Sequence, residues 1–271
     1  MYRRGTGVRE DHALAVALYK RAAEQGHGLA MNNIGFMYKR GYGVPQSNRH
    51  AYEWYLKAAE RGEPNGMFNL GIRYYVGEVV EQSYSQALIW YQRAAELGHS
   101  SGMYNLGWMY EEGEGVQQNY RVAREWYLKA AEKGGTDAMI KLALLYEEGR
   151  GVQQDYRVAR EWYLKAAEKG DTDAMINLAL LYERGLGGEK SMVEAFRWVI
   201  KAAEEGDAQA QQALSLWATQ GIIGGLINMV FGGNDAGGDG CRCPVQGLRD
   251  MPGSSLCIDP LNGRVVNKIC G

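Results

Sequence analysis

Apolar residues recur along the chain in two alternating helical patterns. In one, Ala159, Trp162, Tyr163 and Ala166 follow an i, i+3, i+4, i+7 spacing, which is one face of an α-helix. In the other, Ala174, Leu178, Leu181 and Tyr182 again share one face. The two patterns return with a fixed step. The triplet Ala-Ala-Glu stands at 22–24, 58–60, 94–96, 130–132, 166–168 and 202–204, 36 residues apart each time. Laid out in rows of 36, the chain becomes columns, and a period of this size is the mark of a repeat architecture.

Each column has a physical task. Asp11, Ser47, Ser83, Asn119, Asp155 and Ser191 all carry side-chain oxygens suited to accept a free amide of a first helical turn. Gln86 and Glu194 stand three residues beyond two of these caps, the spacing of a capping box. Glycine fills the column of Gly26 and Gly62 and that of Gly41 and Gly77, where helices must end. Each row therefore predicts an A helix and a B helix separated by glycine-marked turns. Small residues recur in both, as Ala15, Ala51 and Ala87 in B and as Ala30, Gly66 and Gly102 in A, so neighbouring helices can approach closely. From Gly115 to Gly149 and from Gly151 to Gly185 only four positions differ: Asn119/Asp155, Gly135/Asp171, Lys141/Asn177 and Glu148/Arg184. Such copying adds a unit of stacked surface, whereas an active site is not expected to duplicate in this way. The repetition encodes shape.

Read along residues 138–170 and their neighbours, the motif is A-M-x-N-L-[GA]-x-x-Y-x-x-G-x-G-V-x-x-[DNS]-Y-x-x-A-x-x-W-Y-x-K-A-A-E-x-G. It resembles the Sel1-like repeat family, relatives of the tetratricopeptide repeats. The resemblance spans residues 1–218 and implies an all-α fold, a right-handed α/α superhelix (solenoid) of helix-turn-helix repeats. It also implies an adaptor for other proteins with no chemistry of its own. Two departures stand out. Val79 replaces the second turn glycine, which predicts a turn built differently, and Val199 replaces the stripe tyrosine in the last full row. The chain also opens at Tyr2 as though within an A helix whose earlier turns are missing, which reads as a fragment lacking upstream rows and an export signal.

Charge and composition narrow the function. A formal net charge of −2 with no Lys/Arg run removes the electrostatic footprint of a nucleic-acid binder. No apolar run approaches the roughly 20 residues that span a bilayer. His12, His27, His50 and His99 show no pairing with a nucleophile and no H-E-x-x-H, and the stretch from Gly185 to Lys190 follows no strand, as a phosphate loop would. The expectation is a non-enzymatic protein without cofactor or metal, binding a protein or peptide, and monomeric.

Where binding sits follows from the A helix. Opposite its buried stripe, one column is largely polar (Lys39, Glu111, Glu147 and Glu183) and reads as solvated. Two others are apolar: Phe68, Tyr104 and Ile176 in one, Phe36, Trp108 and Leu180 in the next. They either pack against the A helix of the next row or form a concave apolar groove for a partner segment. Phe68, Tyr104 and Trp108, then Phe36, are the candidate contacts, since aromatic anchors dominate interfaces. Beside them run Asn33, Asn69, Asn105, Lys141 and Asn177. These amides either hold neighbouring turns or hydrogen-bond a bound peptide, and Lys141 offers a charge for a carboxylate.

After the repeats, residues 219–233 hold an apolar stretch, Ile222 to Phe231, too short to cross a membrane. It is expected to cover the open end of the array or, alternatively, to lie on a membrane surface. Residues 234–271 form a glycine-rich linker and a tail with all four cysteines, Cys241, Cys243, Cys257 and Cys270. The turn residues from Asp259 to Gly263, between β-prone runs, predict a small hairpin. Two disulfides, a four-thiolate zinc site and free thiols compete. A Cys257–Cys270 bridge would contribute about 3 kcal/mol, and the C-x-C spacing is tighter than structural zinc sites use. Disulfides would place the protein in the periplasm or outside the cell, reduced thiols in the cytoplasm. An alternative function follows: an exported chain whose cysteine tail is a disulfide- or zinc-stabilised effector or redox module. Cysteine-free repeats set this chain apart from the family's cysteine-rich branch, so penicillin-binding or hydrolysing activity does not carry over.

Overall fold

Asp11 Oδ1 accepts the Leu14 amide at 2.9 Å, and from this cap onward the 36-residue rhythm becomes paired helices. The computed structural model describes residues 11–219 and the backbone of 256–258 and 265–267. In order, the helices are α1 (His12–Glu24), α2 (Gly28–Arg40), α3 (Asn48–Glu60), α4 (Pro64–Val76), α5 (Tyr84–Glu96), α6 (Ser100–Glu112), α7 (Tyr120–Glu132), α8 (Thr136–Glu148), α9 (Tyr156–Ala167), α10 (Thr172–Arg184), α11 (Met192–Glu204) and α12 (Ala208–Thr219). Odd numbers are B helices and even numbers A helices. By contact the chain divides into two units, residues 1–141 with 150–152 and residues 142–149 with 153–271.

All six predicted caps of the B helices accept a first-turn amide, from Asp11 before α1 to Ser191 before α11. The reciprocal half of a capping box is differently made. The Ser83 amide donates to the Tyr74 carbonyl and the Ser191 amide to the Tyr182 carbonyl, each at 2.9 Å, so Gln86 and Glu194 have no cap amide left to bind. Ser47, Asn119 and Asp155 do the same with Tyr38, Tyr110 and Tyr146. A glutamine closes the same turn: Gln118 Nε2 donates to the Glu111 carbonyl at 2.8 Å and Gln154 Nε2 to the Glu147 carbonyl at 2.7 Å. The orphan groups at the end of A and the start of B are thus satisfied within one turn.

In the first unit, α2 packs on α3, α4 on α5 and α6 on α7, and α1, α3 and α5 each also pack on the A helix that follows. The core holds Tyr55, Tyr91 and Tyr127, each no more than 2% exposed. A glycine lies under every one of these rings. A Cβ at Gly35, Gly71 or Gly107 would come within 2.6, 2.6 and 2.8 Å of ring carbons of Tyr55, Tyr91 and Tyr127. In the second unit α9, α10, α11 and α12 pack in sequence. There Ala143 and Ala179 take the glycine's place and Tyr163 is buried. Along the B helices a cation sits over the tryptophan three residues before it, Lys129 over Trp126 and Lys165 over Trp162, both at 4.0 Å.

The turn at Val79 overturns the sequence expectation. Instead of a different turn, Val79 adopts φ +75°, the left-handed conformation of its counterparts Gly43 (+68°) and Gly115 (+68°). At those glycines a Cβ would lie 2.5 Å from the His12 carbonyl carbon and 2.6 Å from that of Tyr84. The row stacking imposes the backbone, and a β-branched residue accepts a conformation disfavoured by about 1–2 kcal/mol. Val79→Gly is therefore expected to raise stability by about that amount, read from the urea midpoint at unchanged slope.

Leu256–Ile258 (β1) pairs antiparallel with Val265–Asn267 (β2), Cys257 opposite Val266, flanking the turn residues that the sequence marks. The cysteine side chains, the covering segment before them and the N-terminal half-helix lie outside the described residues.

Candidate functional site

The aromatic residues singled out from the A helices stand half-buried, each set against another aromatic ring. Phe68 of α4 stacks on His99 with centroids 4.6 Å apart and tilts against Tyr91 of α5 at 5.8 Å. Tyr104 of α6 meets Tyr127 of α7 at 5.6 Å. Trp108 of α6 meets Tyr75 of α4 in a T-shaped contact, centroids 5.5 Å apart. Phe36 of α2 meets Tyr42 at 6.1 Å, with the Arg40 guanidinium 5.8 Å from its ring. The packing reading holds for Trp108, which meets the A helix of the row before, whereas Phe68 and Tyr104 pack on tyrosines of the B helices that follow them.

The amide column mostly ties the rows together. Asn69 Nδ2 donates to Asn32 Oδ1 at 2.9 Å, joining α4 to α2, and Asn105 shares a hydrogen bond with the Tyr91 hydroxyl. Asn33 and Asn177 are half-buried. Lys141 finds its carboxylate within the chain: its Nζ lies 3.1 Å from Glu111 Oε2.

Glu111 itself corrects the expectation of a plain solvated column, being only 9% exposed. The Tyr127 hydroxyl donates to its Oε2 at 2.5 Å, and the next row repeats the pair, Tyr163 to Glu147 Oε2 at 3.0 Å. Burial drives the phenols of Tyr127 and Tyr163 far above the ordinary tyrosine range, and the adjoining carboxylates push them further. Burial alone lifts Tyr55 and Tyr91 to about 12. The phenols stay protonated at any physiological pH.

Arg73 is a residue that sequence reasoning passed over. It stands 2% exposed in a column otherwise held by Met37, Met109 and Leu145. Its guanidinium pairs with Glu78, whose Oε1 also accepts Asn48 Nδ2 at 2.5 Å. A charge interrupting an apolar column was the available signal.

His99 caps α6. Its Nδ1 accepts the Gly102 amide at 3.0 Å, which requires the neutral ring. Burial lowers its pKa below the ordinary 6.5, with nearby Glu63 opposing in part. The unfolded chain thus takes up the proton first, so stability falls as pH drops below about 6.5. His99→Asp keeps an acceptor, as Asp171 does for Ala174 at 2.9 Å, and is expected to lose this slope in urea titrations at pH 8 and pH 5.5.

Among the described residues no three His, Cys, Asp or Glu side chains converge as a metal site requires, and no helix is long and apolar enough to cross a membrane. Helix pairs stacked row upon row, with packing rather than reactive groups at the repeated positions, define an α-solenoid. The chain belongs to the Sel1 repeat family, whose repeats match residues 1–27, 28–63, 64–99, 100–135, 136–171 and 172–207. It is similar to a protective antigen of uropathogenic Escherichia coli strains displaying an SLR fold: 34% identity, TM-score 0.75, over 85% of this chain and 51% of that one. It thus spans about half that protein's length. It is also similar to a Sel1 repeat protein from Oxalobacter formigenes: 36% identity, TM-score 0.71, over 75% of this chain and 84% of the other. No curated protein matches. Sel1-repeat solenoids are typically protein-interaction scaffolds.

Proposed function

We propose that the chain is a non-enzymatic scaffold that binds a protein or peptide along the exposed sides of its A helices. The observation that carries this reading is the half-buried state of Phe36, Phe68, Tyr104 and Trp108, each ring set against another aromatic ring and still partly exposed. Large rings fixed in orientation by such stacking bind at little cost in side-chain entropy. Asn33, Asn69, Asn105, Lys141 and Asn177 hold the equivalent position of successive A helices. Asn69, Asn105 and Lys141 are engaged within the chain, and Asn33 and Asn177 are the members that would offer polar contacts to a backbone. The residue types at these positions supply no nucleophile–base pair, which favours recognition over chemistry.

The test is affinity capture from the source organism with the intact chain and with a Phe68→Ser, Tyr104→Ser, Trp108→Gln triple variant. Loss of at least tenfold in the captured partner, with far-UV circular dichroism unchanged, is expected. Equal capture by the folded variant refutes the assignment of the surface.

A further inference from the structure

Two rows share an internal phenol–carboxylate rung that the last full row lacks. In the rows of Tyr127 and Tyr163 the phenol donates to a carboxylate of the A helix before it, and in the row of Tyr91 it is bound from the A helix after it. Sixteen residues before Tyr127 and Tyr163 stand their acceptors Glu111 and Glu147. Fourteen residues after Tyr91 stands its partner Asn105, and after Tyr127 stands Lys141, which grips the same Glu111. One row further on, the register places Glu183, Val199 and Ala213 in these three roles. The carboxylate is retained, but the phenol and the amide are both cut back.

What remains is a groove of about 230 Å³ between α10, α11 and α12, with Glu183, Val199 and Ala213 all in its wall beside Ile176, Leu180 and Trp217. An apolar cavity of roughly 150 Å³ suffices for a benzene ring. Leu180 is 38% exposed, so the groove is reached from solvent, and Glu183 is exposed at its rim. Residues 220–271 contain neither tyrosine nor tryptophan, so this segment holds no phenol to complete the rung.

We propose that this groove binds a tyrosine side chain of a protein partner, with the ring over Val199 and Ala213 and the hydroxyl donating to Glu183. The chemistry is that of Tyr127 on Glu111 and Tyr163 on Glu147, supplied in trans. The site lies in the second unit and rests on other residues than the Phe68–Trp108 surface, so the triple variant above leaves it intact and either idea can fail alone.

The experiment is ¹⁹F NMR of 4-fluorophenol titrated with the full chain, with fluorobenzene as the ring lacking a donor. A saturable shift is expected for 4-fluorophenol. Val199→Tyr, which restores the chain's own phenol, abolishes it. Glu183→Gln weakens it by about tenfold, since a charged acceptor is lost, and leaves fluorobenzene unchanged. Ala213→Leu blocks the groove from the opposite wall and serves as the second variant should Val199→Tyr fail to fold. No shift with the full chain, the outcome if residues 222–231 fill the groove, overturns the proposal. So does an equal shift with the folded blocking variants, or equal affinity for 4-fluorophenol and fluorobenzene.

Discussion

Glu78→Ala is expected to cost about 3–5 kcal/mol, because it leaves the Arg73 guanidinium buried without its carboxylate. The Arg73 side chain is 3% exposed and that of Glu78 is 36% exposed, so the loss comes from stranding the arginine rather than from a surface pair. The compensating change is Arg73→Met, the residue that Met37 and Met109 supply in the same column. In the Glu78→Ala background it is expected to restore most of the lost stability, because an apolar side chain there needs no partner. Arg73→Met alone is expected to be neutral or stabilising. A double-mutant cycle in urea measures the coupling. A cost below about 1 kcal/mol for Glu78→Ala would show that the arginine reaches water when unpaired.

Tyr127→Phe is expected to cost about 1.5–3 kcal/mol, the range for a buried hydrogen bond to a charged acceptor. The ring stays and fills its space against Gly107, so the loss isolates the hydroxyl on Glu111. Tyr163→Phe removes the same contact from Glu147, which is half-buried rather than buried, and its cost is expected to be smaller. Lys141→Asn, which writes the next row's residue into this one, is expected to enlarge the cost of Tyr127→Phe, since Glu111 then loses both partners that neutralise it. Equal costs for the two tyrosines would mean that Glu111 is hydrated despite its burial.

The helices, their caps and their row register were legible because each is a local rule. An Asp, Ser or Asn before an apolar stripe acts on amides three residues away, and glycine ends a helix by its own backbone. What the sequence hid depends on neighbours one row apart. Glu111 looked solvated on its own helix, yet a tyrosine sixteen residues on and a lysine thirty residues on enclose it. Val79 looked like a new turn, yet the stacking of rows forced the old one. The aromatic positions were found from helical phase alone, but phase does not tell how a ring divides between packing and exposure. The groove beside Val199 was visible only as a missing tyrosine, and its meaning needed the intact rungs for comparison.

From Ser47 to Ser191 each cap amide donates to a tyrosine carbonyl nine residues earlier, so this bond of the turn is made within one row. Deleting or inserting one 36-residue cassette between the near-identical stretches beginning at Gly115 and Gly151 would rejoin the same residues at the new junction. Every junction so formed would inherit a complete turn, so a longer or shorter array is expected to keep the fold.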